Sequence, residues 1–159
     1  MEHLTKLQSA YIAGFLDGDG SIYIRLKPNK DYHFGFQIAP NIVFYQSNKN
    51  WLFLKKIKNI IGAGYLRQRN DGISEYIIGD TATMKSLLKQ LIPYLILKKK
   101  QAQLFVRILK KKEQIKNQKD FVALAKMIDK LEALNYSKKR RITSQTVVDT
   151  FKQLYQTRV

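Results

Sequence analysis

Residues 12–21 read Ile12-Ala13-Gly14-Phe15-Leu16-Asp17-Gly18-Asp19-Gly20-Ser21, an apolar helix end that runs into two carboxylates and then straight into a strand. Upstream, Leu7, Ala10, Tyr11, Gly14 and Phe15 recur at helical spacing and predict a helix from about Leu7 to Asp17, capped by Thr5 or Ser9. A glycine inside a helix costs about 1 kcal/mol relative to alanine, so two of them imply the close approach of another backbone. Gly14 and Gly18 fall on one face, at the spacing that lets two helices touch. Asp17 and Asp19 sit at the negative end of the helix dipole, which disfavours them unless a cation is near. Carboxylate and carbonyl oxygens are the hard ligands that Mg²⁺ selects. One chain supplies too few for a two-metal phosphodiesterase site. If the Gly14/Gly18 face packs on its symmetry mate, however, two Asp19 carboxylates meet near the axis. A purely structural Asp-Gly turn accounts for the same spacing equally well.

Working outward, Ser21, Tyr23, Arg25 and Lys27 alternate with Ile22, Ile24 and Leu26, the pattern of a half-buried strand with one wet face. Pro28-Asn29-Lys30-Asp31 reads as a turn. Phe34, Phe36, Ile38, Ile42 and Phe44 then resume the core side, with His33, Gln37, Asn41 and Tyr45 opposite. Pro40 implies a bulge or an edge position in this second strand. A helix from Asn50 to Ile61 follows, with Leu54, Ile57, Ile60 and Ile61 as its buried stripe and Gly62 as its end. In a second hairpin, Tyr65, Arg67 and Arg69 share a face, Asn70-Asp71-Gly72 turns, and Glu75 with Ile77 continues that face. Further helices are predicted over Met84 to Leu91, Lys98 to Lys112, Phe121 to Leu134, and Ser144 to Tyr155.

The predicted order is αββαββα with a helical tail: an α+β fold whose antiparallel sheet keeps helices on its apolar side. It reads as one domain over residues 1–159, with a core over about 7–112 and a helical extension over about 118–156.

Composition narrows the function. The 159 residues hold 29 Lys+Arg against 12 Asp+Glu, a formal charge of +17, and the usual reason for such self-repulsion is a polyanionic partner. No cysteine is present, which excludes disulfides, Cys-ligated zinc and a thiol nucleophile. The two histidines, His3 and His33, are too few and too far apart for a His-rich metal site. No secretory signal or membrane-length apolar run is visible, so the expected setting is intracellular, without membrane or small-molecule partners. The wet sheet face carries Tyr23, Arg25, Lys27, Gln37, Arg67 and Arg69. A basic β-ribbon of this kind fits a DNA major groove, where Arg and Lys pair with guanine and Gln with adenine.

Residues 12–21 resemble the motif of the LAGLIDADG homing endonucleases, and the flanks resemble the single-motif, homodimeric branch found in organellar introns. Lys27-Pro28-Asn29, Gly62-Ala63-Gly64-Tyr65, the segment from Pro93 to Ala102, and Ala133-Leu134-Asn135 through Thr146 carry the likeness along essentially the whole chain. With a single copy of the motif, one protomer holds half of a two-fold site.

The resemblance implies a curved sheet acting as a DNA-binding saddle, a homodimer on double-stranded DNA, and Mg²⁺ as cofactor, with Mn²⁺ as a substitute. It makes the motif helix the dimer seam, through Ala10, Tyr11, Gly14, Phe15 and Gly18. Asp19 becomes the metal ligand, helped by the Gly18 carbonyl, while Asp17 takes a more structural part. Gln46 orders water at the attacked phosphate, and Lys98 stands near the scissile phosphate, its neighbour Lys99 being a solvated surface residue. A basic residue is usual shortly after the glutamine; the matching position holds Asn50, with Lys49 adjacent as the candidate for that role. On the DNA side, Asn29, Asp31 and Tyr32 at the first hairpin tip reach the outer half-site. Glu75 either accepts from a cytosine amino group or holds the arginines in place. Lys138-Lys139-Arg140-Arg141, ahead of a helix capped by Thr143 or Ser144, suits phosphate clamping.

The function implied is a site-specific, metal-dependent DNA endonuclease cutting a long pseudo-palindromic site and promoting intron homing, with an organellar location. An intron RNA maturase and a non-catalytic dimeric regulator on the same fold are the alternatives, and neither needs Asp19, Gln46 and Lys98 together. A GIY-YIG nuclease, faintly suggested by Gly64-Tyr65 and Tyr76-Ile77-Ile78-Gly79, fails on order and spacing.

Overall fold

Thr5 opens the first helix, α1 (Lys6–Asp19): its hydroxyl accepts from the Gln8 N–H at 3.1 Å, and the Gln8 side chain accepts from the Thr5 N–H at 2.9 Å. This reciprocal capping box decides between the two expected caps, since Ser9 lies inside the helix and is buried. The helix runs on to Asp19, so both acids belong to its last turn. Its core stripe is Ser9, Ile12, Ala13 and Leu16. The apolar stripe picked out by the sequence, Leu7 to Phe15, lies mainly on the other side, and Leu7 is 85% and Tyr11 58% exposed.

The computed structural model describes residues 3–135 and 142–156. After α1 come strands β1 (Gly20–Pro28) and β2 (Phe36–Ser47), helix α2 (Trp51–Ile61), and strands β3 (Tyr65–Gln68) and β4 (Ile73–Ile78). Helices α3 (Thr81–Leu91), α4 (Lys99–Lys112), α5 (Gln118–Ala133) and α6 (Ser144–Gln156) complete the αββαββα order and its helical tail. The four strands form one antiparallel sheet in the order β1-β2-β4-β3. Pairing of β2 with β4 runs from Ile42↔Ile78 to Ser47↔Ile73. β2 runs on through Pro40, and on the β4 side Pro40 lies beyond the paired stretch, the edge-like position a residue without an N–H tolerates.

The chain divides into two compact units, Met1–Ile22 with Pro40–Val106, and Tyr23–Ala39 with Arg107–Val159. In the first, the Phe15 ring stacks on Phe44 at 5.2 Å and meets Phe53 edge-on at 5.0 Å, while Phe44 stacks on Tyr76 at 5.7 Å. Leu54, Ile57 and Ile61 of α2 are buried, but Ile60, expected in that stripe, is 36% exposed. Its place on the helix falls just off the face the neighbouring strands can cover. Arg69, expected within the third strand, lies one residue beyond it, where its N–H donates to Ile73 O in the turn. In the second unit, Phe34 precedes β2 rather than joining it; Phe34 and Phe36 each meet the rings of Phe121 and Phe151, at centroid distances of 5.2–6.5 Å. Thr143 caps α6 through a paired contact with Thr146.

The turn into β3 depends on Gly64. Its φ of +80° lies in the left-handed region, and a Cβ there would stand against the Ile77 carbonyl oxygen. Nearby, the buried Tyr76 hydroxyl donates to Ala63 O at 2.6 Å, and burial pushes that phenol well above its ordinary pKa. Gly64→Ala should combine left-handed strain with overpacking, a loss of roughly 2–4 kcal/mol. Chemical denaturation checks this; an unchanged midpoint would refute it.

Candidate active site and nucleic-acid face

The end of α1 meets two other pieces of the first unit. One is the loop before α4. The Asp17 carboxylate there accepts three consecutive backbone N–H groups: Ile96 at 2.7 Å and Leu97 at 3.1 Å on Oδ2, and Lys98 at 2.9 Å on Oδ1. Three donors occupy most of its acceptor sites, so Asp17 ties the motif helix to the loop. The same loop turns Lys98 inward. It is 8% exposed where its neighbours Lys99 and Lys100 are exposed, and its Nζ donates to the Asp17 carbonyl at 2.5 Å. Gln101, one turn on, donates to Ile22 O at 2.9 Å and anchors α4 to β1.

Burial lowers the Lys98 pKa below the ordinary lysine value, and the Asp17 and Asp19 charges oppose this without cancelling it. The sign for stability follows. In the alkaline range the unfolded chain holds this proton more tightly than the folded one, so the group's destabilising effect is largest at neutral pH and fades as pH rises. The stability advantage of Lys98→Met over the parent should therefore shrink as pH rises above neutral towards the ordinary lysine pKa of ~10.4. Urea midpoints across that range test it, and a constant difference would mean that Lys98 is not desolvated.

The other piece is the end of β2. Gln46 Nε2 donates to Asp19 Oδ2 at 3.3 Å, and Gln46 Oε1 accepts from the Ser47 N–H at 3.2 Å and from Asn50 Nδ2 at 2.9 Å. Asn48 pins this loop to the second hairpin by accepting from Ser74 Oγ at 2.6 Å and donating its N–H to Gly72 O at 2.8 Å. Lys49 is exposed and contributes a backbone N–H to Ser47 Oγ at 3.3 Å; its side chain is not among the groups gathered around Asp19.

Asp19 itself is exposed, with that one long hydrogen bond, at a helix end whose last carbonyls lack intrahelical donors. Such a donor set suits a hard divalent cation, with Gly18 O the adjacent carbonyl. Among the described residues no group of three or more acidic, histidine or cysteine side chains is gathered, so one chain offers a partial ligand set. Beside it, Ala10, Tyr11, Gly14 and Gly18 form an exposed face, and a Cβ on either glycine would meet nothing within 4 Å. Phe15 is turned half inward against Phe44 and Phe53.

In the first unit, Arg67 on β3 and Arg69 just beyond its end are held by Glu75. Arg67 Nε donates to Glu75 Oε2 at 2.7 Å, with a second contact from its Nη2, and Arg69 Nη1 lies 3.4 Å from Glu75 Oε1. The Glu75 side chain is 6% exposed against 58% and 44% for the two arginines. Of the two roles open to Glu75, this is the geometry of the one that positions arginines. Arg69 is steered further by Asp71. In the second unit, Tyr23, Arg25, Lys27 and Gln37 alternate with buried Ile24, Leu26, Phe36 and Ile38, and the Arg25 guanidinium lies 4.9 Å above the Tyr23 ring. At the hairpin tip Asn29 Oδ1 accepts from the Asp31 N–H at 3.0 Å, and Tyr32 is 45% exposed. Lys138, Lys139, Arg140 and Arg141 lie outside the described residues. Among the described residues no helix is long and apolar enough to cross a membrane.

Sequence reasoning missed the Asp17 clamp and the Asn50–Gln46 contact. The first joins residues about 80 apart and has no local signal; the second had one, an asparagine at a helix start.

Comparison with known proteins bears on all of this. A family model described as LAGLIDADG endonuclease matches residues 12–108. The chain is 40% identical over 138 residues to DNA endonuclease I-CreI of Chlamydomonas reinhardtii, covering 86% of this chain and 84% of that protein. It is 34% identical over 149 residues to DNA endonuclease I-CvuI of Chlorella vulgaris, covering 94% and 92%. The crystal structure of I-CvuI in complex with the I-CreI target superposes with a TM-score of 0.89, over 94% of this chain and 96% of that one. An archaeal intron-encoded homing endonuclease complexed with DNA, 19% identical, shares the fold at a TM-score of 0.83, over 94% of this chain and 98% of that one.

Proposed function

Because the chain belongs to the LAGLIDADG endonuclease family, we propose that it is a site-specific homing endonuclease that cuts both strands of a long, pseudo-palindromic DNA site as a homodimer. The observation that carries this reading is the convergence of Asp19, Gln46 and Lys98 on the end of α1, beside its exposed glycine face.

Asp19 and the Gly18 carbonyl would hold a divalent cation, which we take to be Mg²⁺. Solved structures of the relative I-CvuI were obtained with Mg and with Ca. A cation held there supplies positive charge at the scissile phosphate and acidifies water. Gln46 orients water through its amide, and Lys98 adds a desolvated positive charge close to the carboxylates. Lys49, on its exposed loop, would approach the phosphate from outside. The second Asp19 comes from the other protomer when Ala10, Tyr11, Gly14 and Gly18 pack on their symmetry mates.

For recognition, Tyr23, Arg25, Lys27, Asn29, Tyr32 and Gln37 from one unit, and Arg67 and Arg69 from the other, would read the groove. Glu75 orients the two arginines. Lys138, Lys139, Arg140 and Arg141 would clamp phosphates. The +17 charge makes affinity fall steeply with salt. We treat both units as one endonuclease domain, since β1 and β2 run through both, and place its action in an organelle that houses the intron.

The test is cleavage of a randomised duplex library by purified protein, with Mg²⁺ or with EDTA, reading the cut ends by sequencing. Discrete Mg²⁺-dependent ends sharing one two-fold-related sequence are expected. Binding without cutting would point instead to the regulator or the maturase.

A further inference from the structure

Asn50 occupies the N-cap of α2, with φ −100° and ψ 23°, yet makes no side-chain cap hydrogen bond. Asparagine is among the best N-cap residues because its oxygen accepts from the N–H groups of the first turn. Here the side chain is directed elsewhere, to Gln46 Oε1 at 2.9 Å.

The orientation of the Gln46 amide is settled from both ends. The Ser47 N–H can only donate, so the atom it meets is the Gln46 oxygen; the Asp19 carboxylate, when ionised, only accepts, so the atom facing it is the Gln46 nitrogen. Asn50 must then present its NH₂ group to the Gln46 oxygen. A long glutamine side chain loses substantial rotamer entropy when held in one pose. The 3.3 Å contact to Asp19 is the weakest of the bonds holding it, and the Asn50 bond is the shortest.

We propose that Asn50, at the position where the family resemblance leads one to expect a basic residue, is a positioning residue that acts through Gln46. It locks the amide with NH₂ towards Asp19 and contributes orientation instead of charge. The proposal rests on reading the Asp19 cluster as an endonuclease site.

Asn50→Asp separates this role from a structural one. The substitution keeps the shape, removes the donor, and places a second acceptor against the Gln46 oxygen. The side chain makes no cap bond to α2, and a negative charge at a helix start is favoured by the dipole, so thermal stability should hold while function falls. Single-turnover cleavage of the duplex recovered from the library should drop roughly 10–100-fold, the scale on which second-layer partners of metal sites act. Affinity for that duplex in Ca²⁺ should stay within about 2-fold, and Asn50→Asp should add nothing in a Gln46→Ala background. The Gln46 side-chain amide NMR signals, in protein free of DNA and metal, should shift in Asn50→Asp. Parental cleavage, an equal loss in the Gln46→Ala background, or an unmoved Gln46 amide would each overturn the proposal. If the parent cuts no duplex, the endonuclease reading fails, and the Gln46 amide signals alone still decide the role of Asn50.

Discussion

Asp19→Asn is expected to abolish Mg²⁺-dependent cleavage, by roughly 10³-fold or more, while leaving the protein folded and bound to its target. The two acids of the motif are not equivalent. Asp17 accepts three backbone N–H groups that hold it to the loop before α4, whereas Asp19 is exposed and keeps one long contact with Gln46. Asparagine preserves shape and an acceptor for that contact but removes the charge a cation requires. Taking a carboxylate off a helix C-terminus also relieves an unfavourable interaction with the dipole, of about 0.3–1 kcal/mol. The variant should thus melt no lower than the parent and bind DNA at least as tightly, having one less negative charge to set against the phosphates. Cleavage assays, fluorescence anisotropy in Ca²⁺ and calorimetry read the three quantities. Retained Mg²⁺-dependent cutting would take Asp19 out of the mechanism.

Gly14→Leu is expected to convert the dimer to monomers and, with one protomer holding half of the catalytic groups, to remove double-strand cleavage as well. The side chain meets nothing within 4 Å of its Cβ in its own chain, so the fold has no cause to resist it. Leucine is also the better helix former, by somewhat less than the ~0.8–1 kcal/mol that separates glycine from alanine. The damage is confined to a partner helix that needs the space, where inserted methylenes hold two backbones apart. Light scattering should give the monomer mass of 18.6 kDa, with the far-ultraviolet circular dichroism of the parent. A dimer mass would mean that this helix face is not the seam.

The alternation of β1 was legible because period two is local: Ile22, Ile24 and Leu26 are buried, as the run of residues 21–27 predicts. The motif helix was legible for a different reason. Glycines inside an apolar helix carry a cost that the close approach of another backbone would explain, and in this chain a Cβ at Gly14 or Gly18 meets nothing within 4 Å. Ile60 was misplaced because helical periodicity names a stripe without saying how wide the covering sheet is. Lys98 was singled out from Lys98-Lys99-Lys100 only by family resemblance. Nothing in three identical residues distinguishes the buried one, and it is the Asp17 clamp on the loop that turns it inward.

The sequence by itself determined the α+β order, the basic character of the wet sheet face, the half-site logic of a single motif, and the candidates Asp19, Gln46 and Lys98. Periodicity, charge and residue type over short stretches encode the first two and the Asp19 candidate; Gln46, Lys98 and the half-site logic came from the resemblance of the motif and its flanks to a known family. Tertiary structure alone decided that Asp17 is a clamp while Asp19 stays exposed with one long contact, that Glu75 restrains Arg67 and Arg69, and that Asn50 faces Gln46 instead of capping its helix. Which hydrogen-bonding capacity is already used, and which remains for a ligand, depends on partners that folding brings together.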